Sequence, residues 1–180
     1  MIFKPQKQPK KAGTVAVILY AAAAGLFLIS QFLKPPLPYQ LMALIIISIA
    51  LFITSRYILT DYKYVIRDAE RASDKVSFTV VKINGSREAI MANFDLISVY
   101  AFEKCKKISD FEKKYGKVNK FYGYTSNFSS PDTYMMGIEF NQMKVLFAIE
   151  ADENFAREIM ARTVLNAPIT NQNDKNERGN

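Results

Sequence analysis

The sequence predicts an α+β protein in which an N-terminal transmembrane helical hairpin precedes a domain of seven antiparallel strands, a small barrel or sandwich capped by a C-terminal helix. Three observations predict this fold. Two runs without a charged residue, 12–33 and 35–55, lie near the start of the chain. Apolar residues then alternate with a period of two, as in half-buried strands. From Asp152 the apolar period becomes helical.

The two uncharged runs are long enough to cross a bilayer. A helix rises about 1.5 Å per residue and the hydrocarbon core is about 30 Å thick, so roughly 20 residues span it. Prolines 35, 36 and 38 separate the runs, and proline interrupts a helix interior. Residues 12–55 are therefore predicted to form an antiparallel hairpin with its turn near 34–39. A signal peptide is the alternative, but the first run is too long and lacks a clear cleavage pattern.

Basic residues orient the hairpin. Four lysines lie within residues 1–11, the turn contains Lys34, and four basic residues follow the second run between positions 56 and 71. Basic flanks of short loops stay in the cytoplasm. We therefore expect a multi-pass protein of the cell (inner) membrane with a basic cytoplasmic N-terminus, residues 1–11, and both chain ends in the cytoplasm.

Small residues four apart are candidates for helix packing in the first run. They form two pairs, Ala12 with Ala16 and Ala21 with Gly25. Small side chains let helix backbones approach closely in lipid. The pairs predict either packing within the hairpin or dimerisation. Neither run contains an ionisable residue, which argues against transport by the hairpin alone.

The domain that follows is predicted to span residues 56–166. Its strands are expected at residues 57–68, 76–83, 87–92, 96–104, 118–125, 133–140 and 143–150. Tight turns are predicted at Asn84-Gly85 and Asn141-Gln142. Asp152 is the predicted N-cap of the last helix, with Phe155, Ile159 and Thr163 on one face. Residues 167–180 read as a disordered polar tail.

Three stretches of this domain are informative together: "YILTDYKYVI", "ANFDLISVYAFE" and "VLFAIEADENFAREIMART". They resemble bacterial membrane proteins with a PH-like cytoplasmic domain, the YcxB-like group among them. The resemblance implies a membrane-tethered binding or scaffold module with the seven-strand, one-helix plan. It does not imply a ligand. The first hairpin has only Lys82 and Arg87 near its turn, so phosphoinositide binding is not expected.

The segment 103–120 has the highest density of basic residues. It contains three acids and seven lysines: Lys104, Lys106, Lys107, Lys113, Lys114, Lys117 and Lys120. It is predicted to be a loop between the fourth and fifth strands. Such a loop would either touch the anionic cytoplasmic leaflet or be a solvated surface. The basic and aromatic positions match no nucleic-acid-binding motif, so nucleic acid is not an expected partner.

The chain has few residues suited to catalysis. It contains no histidine and one cysteine, Cys105, which excludes Ser-His-Asp catalysis and most zinc sites. Paired carboxylates and Gly-rich phosphate loops are also missing from the sequence. No catalytic residue, cofactor or metal is therefore predicted.

Two functions remain open at this point. The first is a non-enzymatic integral membrane protein whose hairpin anchors a cytoplasmic binding or scaffold module. The alternative is an accessory subunit of a larger membrane transport or secretion complex. The expected partners are the lipid bilayer and a membrane or cytoplasmic protein that the sequence does not identify.

Overall fold

The computed structural model describes residues 1–68, 75–128 and 130–163. The predicted polar tail, residues 167–180, and the predicted end of the domain at residue 166 lie outside the described residues. Within the described ranges the protein is a mixed α+β structure, with two long apolar helices followed by two sheets and a C-terminal helix.

The two helices form an antiparallel pair. Helix α1 is Pro9–Ser30 and α2 is Leu37–Ile53, which a π-helical turn, Thr54–Ile58, extends. The segments Lys10–Ser30 and Leu37–Ile58 are each long and apolar enough to cross a membrane. Small residues spaced by seven line the contact between them. On α1 these are Ala16, Ala23 and Ser30, and on α2 they are Ala43 and Ala50, all at most 2% exposed.

In the part of the chain that the structure describes, eight strands form two four-stranded sheets. The strands are β1 (Ile2–Phe3), β2 (Thr60–Arg67), β3 (Ser77–Asn84), β4 (Arg87–Asp95), β5 (Val99–Lys104), β6 (Lys120–Gly123), β7 (Thr133–Phe140) and β8 (Met143–Glu150). The first sheet has the order β1-β2-β3-β4 and the second β5-β7-β8-β6. All seven predicted strands are present, with bounds shifted by a few residues. Over the described residues the two sheets do not close into a barrel, so the barrel form of the prediction is wrong.

Aromatic and aliphatic side chains from both sheets fill the space between them. Strand β2 buries every second residue from Thr60 to Ile66, which confirms the predicted alternation. The predicted strand 57–68 includes Ile58, but Ile58 lies in the π-helical turn. Helix α4 (Glu153–Arg162) packs against the same core through Phe155 and Ile159, both 0% exposed. Asp152 caps α4 as predicted, because its carboxylate accepts a bond of 2.7 Å from the Phe155 amide.

The second sheet differs from the prediction in two ways. Strand β6 pairs with β8 in parallel, from Lys120 opposite Val145 to Gly123 opposite Ala148, so the strands are not all antiparallel. The connection from β5 to β6 is also not simply a loop, because it contains helix α3, Ile108–Tyr115. Phe111 of α3 is 1% exposed and packs on the outer face of this sheet. Strands β5 and β6 run in the same direction at opposite edges of the sheet, and a crossover with a helix is the usual connection between such strands.

Candidate functional site

The residues before the first helix belong to the folded domain. We call residues 1–8 the N-terminal arm. The Met1 amino group donates to the carbonyl of Ile66 at 2.6 Å, and Phe3 pairs with Tyr64 across the β1–β2 ladder. The Phe3 ring stacks on Phe155 with centroids 4.6 Å apart. The arm therefore completes the first sheet and covers part of the core.

Lys7 fastens the arm to the start of β2. Its ammonium lies 2.6 Å from the Asp61 carboxylate and donates to the Ile58 carbonyl at 2.6 Å. The Lys7 and Asp61 side chains are only 22% and 24% exposed, so the pair is partly shielded from water. A lysine that the sequence marks as an orientation signal is thus also a structural contact.

Buried Glu150 organises the segment that holds the other side of the arm. Glu150 is 2% exposed, and its carboxylate accepts the backbone amides of Ser126 at 3.2 Å and Asn127 at 3.1 Å. The Asn127 side chain accepts from the Gln8 amide at 2.6 Å and donates to the Gln6 carbonyl at 3.1 Å. Burial raises the pKa of Glu150, although these amide donors oppose the shift.

Arg56 fastens the end of the second helix to the same part of the domain. Its guanidinium donates to the carbonyls of Thr125 at 3.0 Å and Gly123 at 2.5 Å. It also lies 4.9 Å from the centroid of the Tyr62 ring, a favourable cation–π distance. Both ends of the hairpin are therefore bonded to one edge of the domain, beside the residues that follow β6.

A cavity of about 440 Å³ opens at this edge. We call it the junction cavity. Met135 and Ala148 of the second sheet contribute apolar lining, and Arg56 and Lys106 contribute two cations. Among the described residues, no carboxylate lines it. Its lining also includes Phe121 and Phe128, which are 42% and 43% exposed.

The seven lysines of the segment 103–120 have different surroundings in the structure. Lys104 pairs with Asp132 at 2.7 Å, and Lys114 pairs with Glu103 at 2.5 Å. The hydrogen bond from Lys114 lowers the pKa of Glu103. These two lysines are thus already engaged by carboxylates of the domain.

The other five lysines also differ in their surroundings. Lys113 lies 3.9 Å from Asp110 on α3. Lys106, Lys107, Lys117 and Lys120 are exposed and have no ion-pair partner among the described residues. Of the seven, Lys106 lines the junction cavity. The seven lysines therefore differ in their surroundings, because some are paired with carboxylates and others are not.

The two small-residue pairs of α1 also differ in their contacts with α2. Ala12 and Ala16 are 1% and 2% exposed and pack with Ile53 of α2, which fits packing within the hairpin. Ala21 is exposed, and a Cβ placed on Gly25 would meet no atom within 4 Å. The Ala21–Gly25 pair therefore lies away from the helix contact.

The contacts of Arg56, Lys7, Asn127 and Glu150 were not predicted as a site. The sequence contains one signal that Glu150 is buried. Leu146 and Ala148 lie on the same face of β8 as Glu150, and apolar residues on both faces of a strand indicate that both faces are covered.

Cys105 is half-buried, and its thiol donates to the Lys107 carbonyl. In the ranges that the structure covers, no group of three or more potential ligands could hold a metal ion.

Comparison with protein-family models, curated proteins and solved structures finds no match to this chain. The resemblance to PH-like membrane proteins therefore stays a prediction.

Proposed function

We propose that this chain is a non-enzymatic integral membrane protein of the cytoplasmic membrane, whose helical hairpin anchors a PH-like binding or scaffold module at the cytoplasmic surface. The observation that carries the proposal is the double attachment at the junction, where the N-terminal arm and Arg56 bond both ends of the hairpin to one edge of the domain. A module attached at two points keeps a fixed face toward the bilayer.

The exposure of the helices supports a membrane location. Only 17% of each apolar window is buried, although the mean hydropathies are 2.2 and 2.1. A core helix of a soluble protein would be mostly covered. In water, this hairpin would expose large side chains such as Leu28, Leu44 and Phe52, which are 64%, 59% and 65% exposed. Lipid is the solvent that suits such a surface.

Labelling in whole cells tests the topology. In a Cys105→Ser background, we would place one cysteine in the hairpin turn, Pro36→Cys, or one in the exposed β3–β4 turn, Ser86→Cys. Because basic residues flank both spans on the domain side, a membrane-impermeant maleimide should label position 36 in intact cells and position 86 only after permeabilisation. The reverse pattern would place the domain outside the cytoplasm.

An accessory subunit of a transport or secretion complex is the second candidate. The Ala21–Gly25 pair supports it, because small residues facing away from α2 could receive a helix of another protein. Crosslinking in native membranes separates the two functions. Stoichiometric capture of one integral membrane protein, lost on Gly25→Leu, would favour the subunit, whereas capture of cytoplasmic proteins through the domain would favour the scaffold.

A further inference from the structure

We infer that the junction cavity binds the phosphate-bearing headgroup of an anionic lipid. This inference rests on the proposed function, because it requires the end of α2 to lie at the bilayer surface. It assigns lipid contact to the junction cavity and, within the segment 103–120, to Lys106 instead of to all seven lysines.

The charges that line the cavity favour an anion. Arg56 and Lys106 contribute two positive charges without a described carboxylate among the lining residues. Arg56 already donates to the carbonyls of Thr125 and Gly123, so it is held in place as a fixed charge. Lys106 has an ammonium with three donors and no ion-pair partner in the described ranges. It is therefore the residue able to close on a phosphate.

A neighbouring cavity shows the opposite charge. It has a volume of about 370 Å³ and lies beside the arm. Asp132, Glu150 and Asp152 line it together with Lys4. Three carboxyl groups would repel a phosphate from that cavity. The charge of its lining therefore distinguishes the junction cavity from this neighbouring cavity.

The position of the cavity selects a lipid rather than a soluble phosphate. Arg56 and Tyr57 belong to the last turn of the apolar segment Leu37–Ile58, so they lie at headgroup depth if that segment spans the bilayer. The Phe128 ring packs edge-on against Tyr57, with centroids 5.1 Å apart, and remains 43% exposed. Exposed aromatic rings beside a cationic cavity suit the boundary between headgroups and acyl chains.

Native mass spectrometry of the full-length chain in mild detergent tests the inference. Phosphatidylglycerol and phosphatidylcholine of matched acyl chains would be titrated onto wild type, Lys106→Gln, Lys106→Arg and Lys113→Gln. Lys113 has the same charge, is 80% exposed on α3 and does not line the cavity, so it is the matched control. We expect Lys106→Gln to weaken phosphatidylglycerol binding about fivefold, the effect of one basic residue near an anionic surface. Lys106→Arg and Lys113→Gln should bind as wild type does.

Three outcomes would overturn the inference. One is equal loss of binding in Lys106→Gln and Lys113→Gln, which would indicate a diffuse charge effect. Another is binding of phosphatidylglycerol and phosphatidylcholine to wild type with the same affinity. The third is displacement of phosphatidylglycerol by millimolar glycerol phosphate, which would assign the cavity to a soluble phosphate. The labelling at positions 36 and 86 is read independently, so a correctly inserted chain that fails the lipid test refutes the lipid site and leaves the proposed function standing.

Discussion

Glu150 shows at the level of one residue how a buried charge is kept in the fold. A carboxylate removed from water favours its protonated form, and burial is the largest cause of its raised pKa. Amide donors from Ser126 and Asn127 compensate for part of the lost hydration. The same carboxylate also bonds to Asn127, whose side chain holds the arm. Glu150 is therefore an organising residue of the junction, although it does not contact the hairpin.

Replacing Glu150 by glutamine should destabilise the protein by about 1–3 kcal/mol at neutral pH, because a carboxamide cannot accept from all the donors that face it. The change also has a defined pH dependence. Since the folded pKa lies above the ordinary value of 4.5, the folded state retains this proton over the interval between the two values, and the group's contribution to stability falls as pH rises across it.

The measurement is the free energy of unfolding of the detergent-solubilised wild type and Glu150→Gln by urea denaturation at several pH values. The difference between them should widen as the pH falls from about 7 to about 4, because the wild type gains stability when Glu150 takes up its proton and the uncharged amide of the variant does not titrate. A difference that narrows toward low pH would contradict the raised pKa.

At the level of secondary structure, α3 gives the segment 103–120 a structural role. Its lysines suggest a solvated loop, but Ile108, Phe111 and Tyr115 pack on Ala101, Met135 and Leu146 of the second sheet. Gly116, with φ of 87°, ends the helix in a conformation that glycine adopts without strain. The segment therefore covers the outer face of the second sheet with its apolar residues. Its exposed lysines do not take part in this packing.

Truncating Phe111 to alanine should cost about 3–5 kcal/mol, the range for deleting a buried phenylalanine ring. The matched control is Phe140→Ala, because Phe140 is 64% exposed whereas Phe111 is 1% exposed. Thermal unfolding followed by circular dichroism should show a clear loss for Phe111→Ala and little change for the control. Equal melting of the two variants would mean that the segment 103–120 behaves as a loop.

At the level of the whole molecule, the hairpin is an insertion between two parts of one domain. The arm before α1 contributes β1 and the Phe3 ring, and β2 begins after α2. The domain predicted at residues 56–166 therefore lacks a strand that the structure supplies from residues 2–3. A movement of the hairpin would act on the domain through both connections.

This arrangement predicts how truncations behave. A chain that keeps residues 1–8 and joins them to residue 56 through a flexible Gly/Ser linker should be more stable than a chain that starts at residue 56. The expected gain is about 1.5–3 kcal/mol, the value of burying one large apolar side chain. Urea unfolding of both soluble proteins measures it.

Phe3→Ala in the linked protein is the control for this comparison and should remove most of the gain. Lys4→Gln should leave most of it, because Lys4 lies 3.7 Å from Asp61 and is 56% exposed, and exposed ion pairs contribute little. Equal stability of the linked and truncated proteins would show that the arm does not stabilise the domain.

Local sequence determined the parts of this protein whose causes are local. The length of the uncharged runs located the two apolar helices, and periodicity located the seven strands and the face of α4, since each depends on which side chains must leave water. Asp152 and the Asn141-Gln142 turn were equally predictable, because a cap and a two-residue turn depend on neighbours in the chain. The junction cavity could be predicted only in part, because the sequence shows the charges of Arg56 and Lys106 but not that both residues line one cavity.

Tertiary structure decided what depends on distant pairing. Strand β1, the parallel β6–β8 pair and the burial of Glu150 follow from contacts between residues far apart in the chain, such as Tyr64 with Glu150, which are separated by 86 positions. A two-residue strand is too short to show a periodicity. Alternation along a strand indicates that one face is buried, but not which element packs against that face. The free energy of these features comes from packing and from satisfying buried polar groups, and both depend on which surfaces meet after the chain has folded.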